Sequence, residues 1–553
     1  MTATHEARSG PRPGVVEILR AVAATVGDRE AVVHGRTRRT YAEVVANVDA
    51  FARYLVSRGA GCEEACTDTG AFDTNQKRLA LYLHNGLEFA EALYGAMAAR
   101  AAPFNVNYRY TATELVAIFD DAAPAVIVYH SMFAATLIDV LPELPHRPVL
   151  VQVPDHSDYP LLPGAVWFGD ALTTAPTAQL PEPSGEDLVL VYTGGTTGRP
   201  KGVMWRNHDL WIAACGGADY PADITAAQMG RLADEVPGPK FLASAPFMHG
   251  AGLWFLMRVL AQGGTVVIPD AVTRFDEAQA CALIEHERIN CVLLVAEAFA
   301  NPMARHLTEN KYDLDCVTFV GLGGGITTME TKSALMAAMP NAELVDSAGS
   351  SETGGILRAT AQPGDVATSG TFALSPRACV ISADRSRFAE AGSGEHGWLG
   401  ARGPLPVGYL HDPAKTATTF IEVAGERIAL TGDRAMLLDG GGLRLLGRDS
   451  VTINSGGEKI FAEEVERAVR RHPRVRDVIV VGRPHPRWGE QVVAVVVLDA
   501  PVAHSELVEA MSDQIARYKR PKIFIEVGAI PRSPAGKPDY RWAKSFVENL
   551  VEV

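Results

Sequence analysis

The chain has 553 residues, more than one hydrophobic core usually organises, so two or more domains are expected. Hydrophobic residues make up 47% and charged residues 21% of the chain, a globular composition that excludes a fibrous or disordered protein. The net charge of -14 opposes a broad basic surface, so no nucleic-acid partner is expected.

Seven cysteines are scattered along the chain, and this number is odd and small for its length. A disulfide framework is therefore not expected, and a reduced, cytoplasmic setting fits best. The first fourteen residues are polar and lack the apolar core of a secretion signal. No uninterrupted apolar run reaches the roughly eighteen residues of a membrane helix, so no membrane span is expected.

Short apolar runs alternate with amphipathic stretches from residue 79 onward. We predict strands at 79–83, 125–129, 188–192, 265–268, 291–295 and 317–322, and helices at 88–98, 275–288 and 328–339. Such alternation is typical of parallel sheets covered by helices. The fold class is therefore predicted as α/β, with a large N-terminal domain of covered, mostly parallel sheets.

The pattern changes after about residue 448. A helix at 462–471, strands at 478–481 and 492–498, a helix at 505–517 and a strand at 523–527 would form a smaller α+β unit. Its length lies within the usual range for one domain. We therefore predict an N-terminal domain of residues 1–448 and a C-terminal domain of residues 449–553.

The most informative segment is the glycine- and threonine-rich run from Tyr192 to Gly202, directly after a predicted strand. Glycines let backbone N–H groups approach a ligand, threonines add hydroxyl donors, and Lys201 adds a mobile positive charge. This combination predicts a phosphate-binding loop, with contacts from Thr193, Gly194, Gly195, Thr196, Thr197 and Gly198. It is not a Walker loop, because Arg-Pro-Lys follows Gly198 where Gly-Lys-Ser/Thr would be required. The alternative, a glycine-rich surface turn, is disfavoured by the length and composition of the run.

This run resembles the signature loop of the adenylate-forming superfamily, which comprises acyl-CoA synthetases, peptide-synthetase adenylation domains and luciferases. Further matches follow in the family's order along almost the whole chain. Segment 247–250 resembles the lining of the family's acyl pocket, and 323–325 resembles its glycine-rich turn. Segment 346–352 resembles its acidic motif, and 431–433 its ribose-binding motif. Segments 447–449, 455–459, 488–490 and 534–537 resemble the motifs of its small domain.

The resemblance implies a two-step reaction that uses ATP, Mg²⁺ and coenzyme A. A carboxylate attacks the α-phosphorus of ATP and expels pyrophosphate, and the thiol of coenzyme A then displaces AMP from the acyl adenylate. Catalytic roles are implied for Lys537, Glu352 and Lys201, and Glu352 is also the implied magnesium ligand. The small, mobile C-terminal domain is expected to rotate between the two steps about a hinge at Asp449 or Ser450.

The resemblance also assigns binding residues. Beyond the loop, contacts to the nucleotide and coenzyme A are implied for Gly323, Gly324, Gly325, Asp346, Ser351, Asp433, Arg448, Gly456 and Gly457. Contacts to the acyl group are implied for His249, Gly324 and Gly349. The chain departs from the family at Ala348, where an aromatic residue commonly stacks on adenine, and at 323–325, where Gly-Gly-Gly replaces the frequent Gly-Ala-Pro. The second departure indicates a roomy acyl pocket.

The predicted function is that of a ligase of lipid metabolism, an acyl-CoA synthetase. Its substrate is predicted to be a hydrophobic acid, a long-chain fatty acid or a steroid side-chain acid. The alternatives are an acyl-AMP ligase that loads a carrier protein, an aromatic-acid CoA ligase, a luciferase-like oxidase and a non-catalytic nucleotide-binding protein. The expected partners are a small carboxylic acid, ATP and coenzyme A, and a homodimer is the commonest assembly for such a chain.

Two other enzyme classes are disfavoured. The nucleophile elbow of a serine hydrolase needs a second glycine, and Thr353 occupies that place after Ser351. No G-x-G-x-x-G motif opens a helix after a strand, as a Rossmann dehydrogenase would require.

Overall fold

The structure is a computed structural model of the chain. It describes residues 13–62, 72–173, 178–193, 200–325, 327–365, 370–455, 458–485, 488–512, 514–532 and 537–550. Within these ranges, helices and strands alternate through the first two thirds of the chain, and strands predominate afterwards.

The helices are α1 (Val15–Val26), α2 (Tyr41–Ser57), α3 (Leu87–Ala98), α4 (Ala112–Ala122), α5 (Ala134–Val140), α6 (Phe168–Thr173), α7 (Asn207–Ala214), α8 (Ala226–Glu235), α9 (Gly250–Ala261), α10 (Glu277–Glu287), α11 (Ala296–Glu309), α12 (Met329–Ala338), α13 (Pro413–Thr419), α14 (Ala462–Arg470), α15 (His504–Ala510) and α16 (Tyr540–Asn549). Among these, none combines the length and apolar character that crossing a bilayer needs.

The strands are β1 (Glu30–His34), β2 (Thr37–Thr40), β3 (Arg78–Tyr82), β4 (Ala102–Asn105), β5 (Val126–His130), β6 (Val149–Val153), β7 (Val166–Trp167), β8 (Leu188–Thr193), β9 (Lys201–Arg206), β10 (Lys240–Leu242), β11 (Thr265–Ile268), β12 (Cys291–Val295), β13 (Phe319–Gly323), β14 (Glu343–Ser350), β15 (Gly354–Ala361), β16 (Thr371–Leu374), β17 (Ala378–Ile381), β18 (Gly397–Ala401), β19 (Gly408–Tyr409), β20 (Phe420–Val423), β21 (Glu426–Leu437), β22 (Gly442–Arg448), β23 (Thr452–Ser455), β24 (Glu458–Phe461), β25 (Val475–His485), β26 (Gly489–Leu498) and β27 (Ile523–Glu526).

The larger sheet of the N-terminal domain is mixed. Its order is β17-β18-β21-β22-β16-β15-β14-β13-β12-β10-β11-β1-β2, with β20 paired to β21. The block from β14 to β1 is parallel, and its central strand β12 is buried at every residue, as expected for a strand covered on both faces. The strands of this sheet from β15 to β22 pair in antiparallel fashion. The prediction of mostly parallel sheets is therefore correct, within this sheet, only for the block from β14 to β1.

The second sheet has the order β19-β9-β8-β4-β3-β5-β6-β7. It is parallel from β8 to β7, whereas β9 and β19 are antiparallel additions at one edge. Helix α3 contacts β3 and β4 of this sheet and β1 of the larger one, and its side chains are buried on almost every face. Helices therefore lie between the two sheets as well as outside them, which confirms the α/β class.

The smaller C-terminal domain has a third sheet, in the order β24-β23-β26-β25, with β27 paired to β26. Its strands all follow Thr452, and its core is separate from that of the N-terminal domain. The predicted boundary at residues 448 and 449 stays a prediction. Helix α15 ends at Ala510, earlier than the predicted helix at 505–517, although Met511 and Ile515 beyond its end are buried in the same core.

An ion pair holds the start of β8, the strand that leads to the predicted phosphate loop. The guanidinium group of Arg100 donates hydrogen bonds of 2.8 to 3.1 Å to both carboxylate oxygens of Asp187. The side chains are only 9% and 1% exposed, so water cannot replace either partner. Removing one charge would leave the other buried without compensation.

We predict that Asp187→Asn lowers the free energy of unfolding of the N-terminal domain by about 3 kcal/mol, the usual cost of breaking a buried ion pair. Denaturant unfolding followed by fluorescence measures this change. The matched control is Asp219→Asn, which removes the 2.7 Å contact to Arg258 from an aspartate side chain that is 53% exposed. The control should change stability by less than about 1 kcal/mol, and equal effects of the two variants would contradict the prediction.

Candidate active site

The side chains of two buried asparagines, Asn85 and Asn105, form hydrogen bonds with the backbone at the strand ends around the site. Asn105, at the end of β4, accepts a hydrogen bond of 3.1 Å from the backbone N–H of Tyr192 and donates one to the carbonyl of Met248. Asn85 accepts one of 2.7 Å from the backbone N–H of Phe247. Segment 247–249 is thereby held beside β8, where the predicted phosphate loop begins.

The two ends of the predicted phosphate loop are adjacent. Thr193 closes β8 and Lys201 opens β9, and these residues are partners in the antiparallel ladder. Gly194, Gly195, Thr196, Thr197 and Gly198 lie outside the described residues, so their phosphate contacts stay predictions. Lys201 therefore lies at the end of the predicted loop, and its contact with a phosphate stays a prediction.

Lys201 forms an ion pair with Asp412. Its Nζ lies 2.6 Å from Oδ2 of Asp412, and the side chains are 40% and 20% exposed. The other oxygen of Asp412 accepts a 2.9 Å hydrogen bond from the backbone N–H of Lys415 and so caps α13. Although partial burial opposes ionisation, the hydrogen bond from Lys201 keeps the pKa of Asp412 below its usual value.

The acidic motif turns between β14 and β15, and this turn positions Glu352. A Cβ atom added at Gly349 would lie 2.0 Å from the carbonyl oxygen of Gly354, so the close approach of the two strands requires glycine there. Oε1 of Glu352 accepts a 2.7 Å hydrogen bond from the hydroxyl of Tyr409. Oε2 receives no hydrogen bond from the described residues.

Two other residues of the acidic motif make internal contacts. The backbone carbonyl of Ser351 accepts a 2.8 Å hydrogen bond from the indole of Trp205, which lies on β9. Oδ2 of Asp346 lies 2.6 Å from Nζ of the buried Lys332. Burial raises the pKa of Asp346 in spite of this lysine. The described contacts of Asp346 are therefore structural, and its role in nucleotide binding stays a prediction.

The predicted acyl side of the site is formed by small residues and a histidine. Gly323 ends β13, and Gly324 has a φ of 87°, a backbone conformation that favours glycine. A Cβ atom added at Gly325 would lie 3.1 Å from Cβ of Ala296, so a larger residue there would press on α11. The glycines at 323–325 therefore let the backbone pack closely against the start of α11.

His249 precedes α9, and its ring is held neutral. Burial, together with the positive charges of Lys537 and Arg109, lowers the pKa of His249 to about 4. Its Nε2 atom is buried and has no hydrogen-bond partner among the described residues. Because such an atom is costly to leave unsatisfied, His249 is a candidate to bind a polar group of a ligand.

Asp433 and Arg448 lie opposite each other on β21 and β22. Nε of Arg448 is 3.6 Å from Oδ1 of Asp433, and the aspartate side chain is 19% exposed. The backbone N–H of Arg448 donates a 3.1 Å hydrogen bond to Glu463 of α14, so this arginine also contacts the small domain. The pair offers a carboxylate acceptor and a cation side by side, as the resemblance implies for the sugar of a nucleotide.

Lys537 of the small domain is close to the charged residues of the large domain. Desolvation by the surrounding protein atoms and the charge of Arg448 lower the pKa of Lys537 to about 8, whereas Asp433 and Glu352 act in the opposite direction. The residue as a whole remains exposed to solvent. Lys537 therefore interacts electrostatically with Glu352 of the acidic motif and with His249.

The predicted hinge residues differ in their contacts. Oδ1 of Asp449 accepts a 2.8 Å hydrogen bond from Nε of Arg434, whose guanidinium group lies 3.5 Å from the centre of the Trp398 ring. Ser450 is exposed. The predicted coenzyme A residues Gly456 and Gly457 lie outside the described residues.

The donor set suits Mg²⁺ bound together with a nucleotide. The described residues contain no group of three or more His, Cys, Asp or Glu side chains placed to hold a metal alone. Mg²⁺ typically binds through one or two carboxylates plus substrate phosphates and water, and the open Oε2 of Glu352 provides one such oxygen. Glu352 therefore fits the predicted ligand role.

Sequence analysis missed Tyr409, Asp412 and Arg109. Tyr409 contacts Glu352, Asp412 contacts Lys201, and the charge of Arg109 reaches His249. The Asp-Pro pair at 412–413 is a recognisable helix start, but its contact with Lys201 joins positions more than two hundred residues apart. A local pattern does not reveal such a contact.

Comparison with known proteins gives concordant results. The family described as "AMP-binding enzyme" matches residues 19–408, and "AMP-binding enzyme C-terminal domain" matches residues 464–537. The chain is 43% identical over 542 residues to the medium-chain acyl-CoA ligase Mig of Mycobacterium avium, covering 97% of this chain and 98% of that protein.

A second relative is the medium/long-chain-fatty-acid–CoA/3-oxocholest-4-en-26-oate–CoA ligase of Mycobacterium tuberculosis, 34% identical over 95% of this chain and 94% of its own length. The fold is similar to the crystal structure of the anthranilate CoA ligase AuaEII in complex with anthranoyl-AMP, with a TM-score of 0.79, 18% identity and coverage of 98% of this chain and 99% of that one. The chain therefore belongs to the AMP-binding enzymes, within the acyl-CoA synthetase branch of the adenylate-forming superfamily, as its signature loop predicts.

Proposed function

We propose that this acyl-CoA synthetase activates a medium- to long-chain fatty acid or a steroid side-chain acid with ATP, and then transfers the acyl group to coenzyme A. One observation carries the proposal: Lys537, on the small domain, lies close enough to the large domain for the charges of Glu352 and Asp433 to raise its pKa and for its own charge to lower the pKa of His249. An ammonium group between the acidic motif and the predicted acyl side suits a reaction that joins a carboxylate to a phosphate.

The charges support the adenylation step. Carboxylate and triphosphate are both anions, and negative charge grows on the phosphate oxygens as the bond forms. Lys537 would attract both reactants, and Lys201 would meet the triphosphate at the base of the loop. Mg²⁺, held by Glu352, would neutralise phosphate charge. Asp433 would accept hydrogen bonds from the ribose hydroxyls, with Arg448 beside it.

His249 is suited to a binding role. A carboxylate substrate is already ionised at neutral pH, so this step needs no general base. The neutral ring of His249 can instead present its unpartnered Nε2 to the acid. We propose that Gly324 and Gly349 complete the acyl side of the site.

We propose that rotation of the small domain about Asp449 or Ser450 separates the two steps. The rotation would withdraw Lys537 and bring Gly456 and Gly457 to a passage for coenzyme A. Arg434 contacts Asp449, and Arg448 contacts Glu463. Each contact joins a residue before the proposed hinge to one at or after it, so the rotation would break these contacts and replace them with others. A cytoplasmic setting, where ATP and coenzyme A are available, completes the proposal.

The relatives named above act on medium-chain, medium- or long-chain and steroid acids, which supports a hydrophobic acid for this chain. The test is pyrophosphate release with ATP and a panel of fatty, steroid side-chain and aromatic acids, with and without coenzyme A. We expect release to be greatest with fatty or steroid acids, and AMP and a thioester to form only with coenzyme A. A stable acyl-AMP in its presence would favour the carrier-loading alternative, and a preference for aromatic acids would refute the substrate class.

The lowered pKa of Lys537 predicts how the rate of adenylate formation depends on pH. Its pKa of about 8 means that the ammonium form is lost as the pH rises above that value, so kcat/KM for ATP in adenylate formation should fall on the alkaline side with a midpoint near 8. Lys537→Arg should move this midpoint upward, because a guanidinium group stays charged.

Lys537→Ala should abolish adenylate formation and spare the attack of coenzyme A on supplied acyl-AMP. Equal loss of both half-reactions would refute this assignment.

Asp412 gives a prediction in ATP affinity. Its ion pair with Lys201 must open before the lysine can meet phosphate, and a half-exposed pair contributes at most about 1 kcal/mol. Asp412→Asn keeps the cap of α13 and frees Lys201, so the Kd for ATP should fall about two- to five-fold in calorimetry. In a Lys201→Met background the same change should have no effect. A weaker ATP affinity in Asp412→Asn alone would contradict the prediction.

A further inference from the structure

Tyr409 occupies a position that is fixed from several sides. It lies on β19, where its backbone pairs with Val203 of β9, and its backbone N–H donates a 2.9 Å hydrogen bond to Oγ1 of Thr416. Its ring lies 5.9 Å from that of Phe420. The residue is only 3% exposed, so its side chain has little freedom to move.

The hydroxyl of this fixed ring is directed at Glu352. The hydroxyl donates a 2.7 Å hydrogen bond to Oε1 of Glu352, whereas Oε2 receives no hydrogen bond from the described residues. Bonds to a charged acceptor are stronger than neutral ones, so this contact restrains the rotation of the carboxylate. A partly exposed glutamate would otherwise sample several rotamers.

The residues after Tyr409 are anchored as well. Nε2 of His411 lies 3.3 Å from Oδ1 of Asp73, and its backbone N–H donates a 2.9 Å hydrogen bond to the carbonyl of Phe72. Asp412 then meets Lys201. One short segment, residues 408–412, therefore contacts both the glutamate of the acidic motif and the lysine of the phosphate loop.

We propose that Tyr409 is a positioning residue that fixes the carboxylate of Glu352 in the orientation required to bind Mg²⁺·ATP. The inference rests on the proposed function, in which Glu352 is the magnesium ligand. Residues that hydrogen-bond a metal ligand commonly change metal affinity or activity by about 10- to 100-fold when they are replaced. A role of Tyr409 in folding alone would instead affect nucleotide binding equally with and without the metal.

The test compares the Kd for ATP in Mg²⁺ with the Kd for ATP in EDTA, both measured by calorimetry. Tyr409→Phe removes only the hydroxyl, so we expect the Kd in Mg²⁺ to rise about ten-fold and the Kd in EDTA to change less than about two-fold. The matched control is Tyr129→Phe, which removes a 2.7 Å hydrogen bond from another buried tyrosine to Gln152 and should leave both constants unchanged. Thermal melting of each variant verifies that it is folded.

Glu352→Gln separates the inference from the proposed function. If this variant loses the Mg²⁺ dependence of ATP binding and Tyr409→Phe behaves as the wild type, the positioning role is overturned and the ligand role of Glu352 survives. Equal rises of both constants in Tyr409→Phe would also overturn the positioning role. If Glu352→Gln keeps the full Mg²⁺ dependence, the proposed ligand role itself fails, and the inference fails with it.

Discussion

Repulsion between like charges is the constraint on which the arrangement of this site depends. The proposed reaction brings a carboxylate to a triphosphate within a protein whose own net charge is -14. The described charged residues of the site are held against partners: Lys201 by Asp412, Asp433 by Arg448, and Glu352 by a hydroxyl. Asp433 and Glu352 are thereby oriented before a ligand arrives, whereas Lys201 has to exchange Asp412 for phosphate when ATP binds.

The interface between the domains adds a carboxyl group to this balance. Glu463 of α14 accepts a hydrogen bond from the backbone of Arg448. Burial and the negative charges of Asp433 and Glu466 raise the pKa of Glu463 to about 7. Since the neutral form is favoured in this position, the observed arrangement of the two domains becomes less favourable as the pH rises from the ordinary value of 4.5 to about 7, where the carboxyl would otherwise be ionised. The large and small domains are therefore coupled through the same residues that are predicted to bind ribose.

Local sequence patterns predicted the parallel strands of the N-terminal domain and the antiparallel pair β25 and β26 of the small domain, and missed the antiparallel strands from β15 to β22. Strands such as β12 are continuous apolar runs buried on both faces, so their composition identifies them. Strands β15 and β21 mix buried and exposed residues without a regular alternation, and the pairing of β14 with β15 shifts register between Ala348 and Gly349. Periodicity does not reveal such pairings, because they depend on partners far away in the chain.

The site divides in the same way. The phosphate loop could be predicted from its own glycines, threonines and lysine, and the other motif residues through their resemblance to the family's motifs, whereas Tyr409 is separated from Glu352 by fifty-seven positions and was not singled out by either. The predicted roles of the loop residues Gly194 to Gly198 and of Gly456 and Gly457 concern residues outside the described ranges and remain predictions.

The indole of Trp205 is completely buried and donates its hydrogen bond to the carbonyl of Ser351, next to Glu352, on the same strand that begins with Lys201. Any ligand that displaces the acidic motif or the phosphate loop must alter the polarity around this ring. Trp205, one of seven tryptophans, thus lies where the two segments proposed to bind the nucleotide meet, and its emission is expected to report a movement of either one.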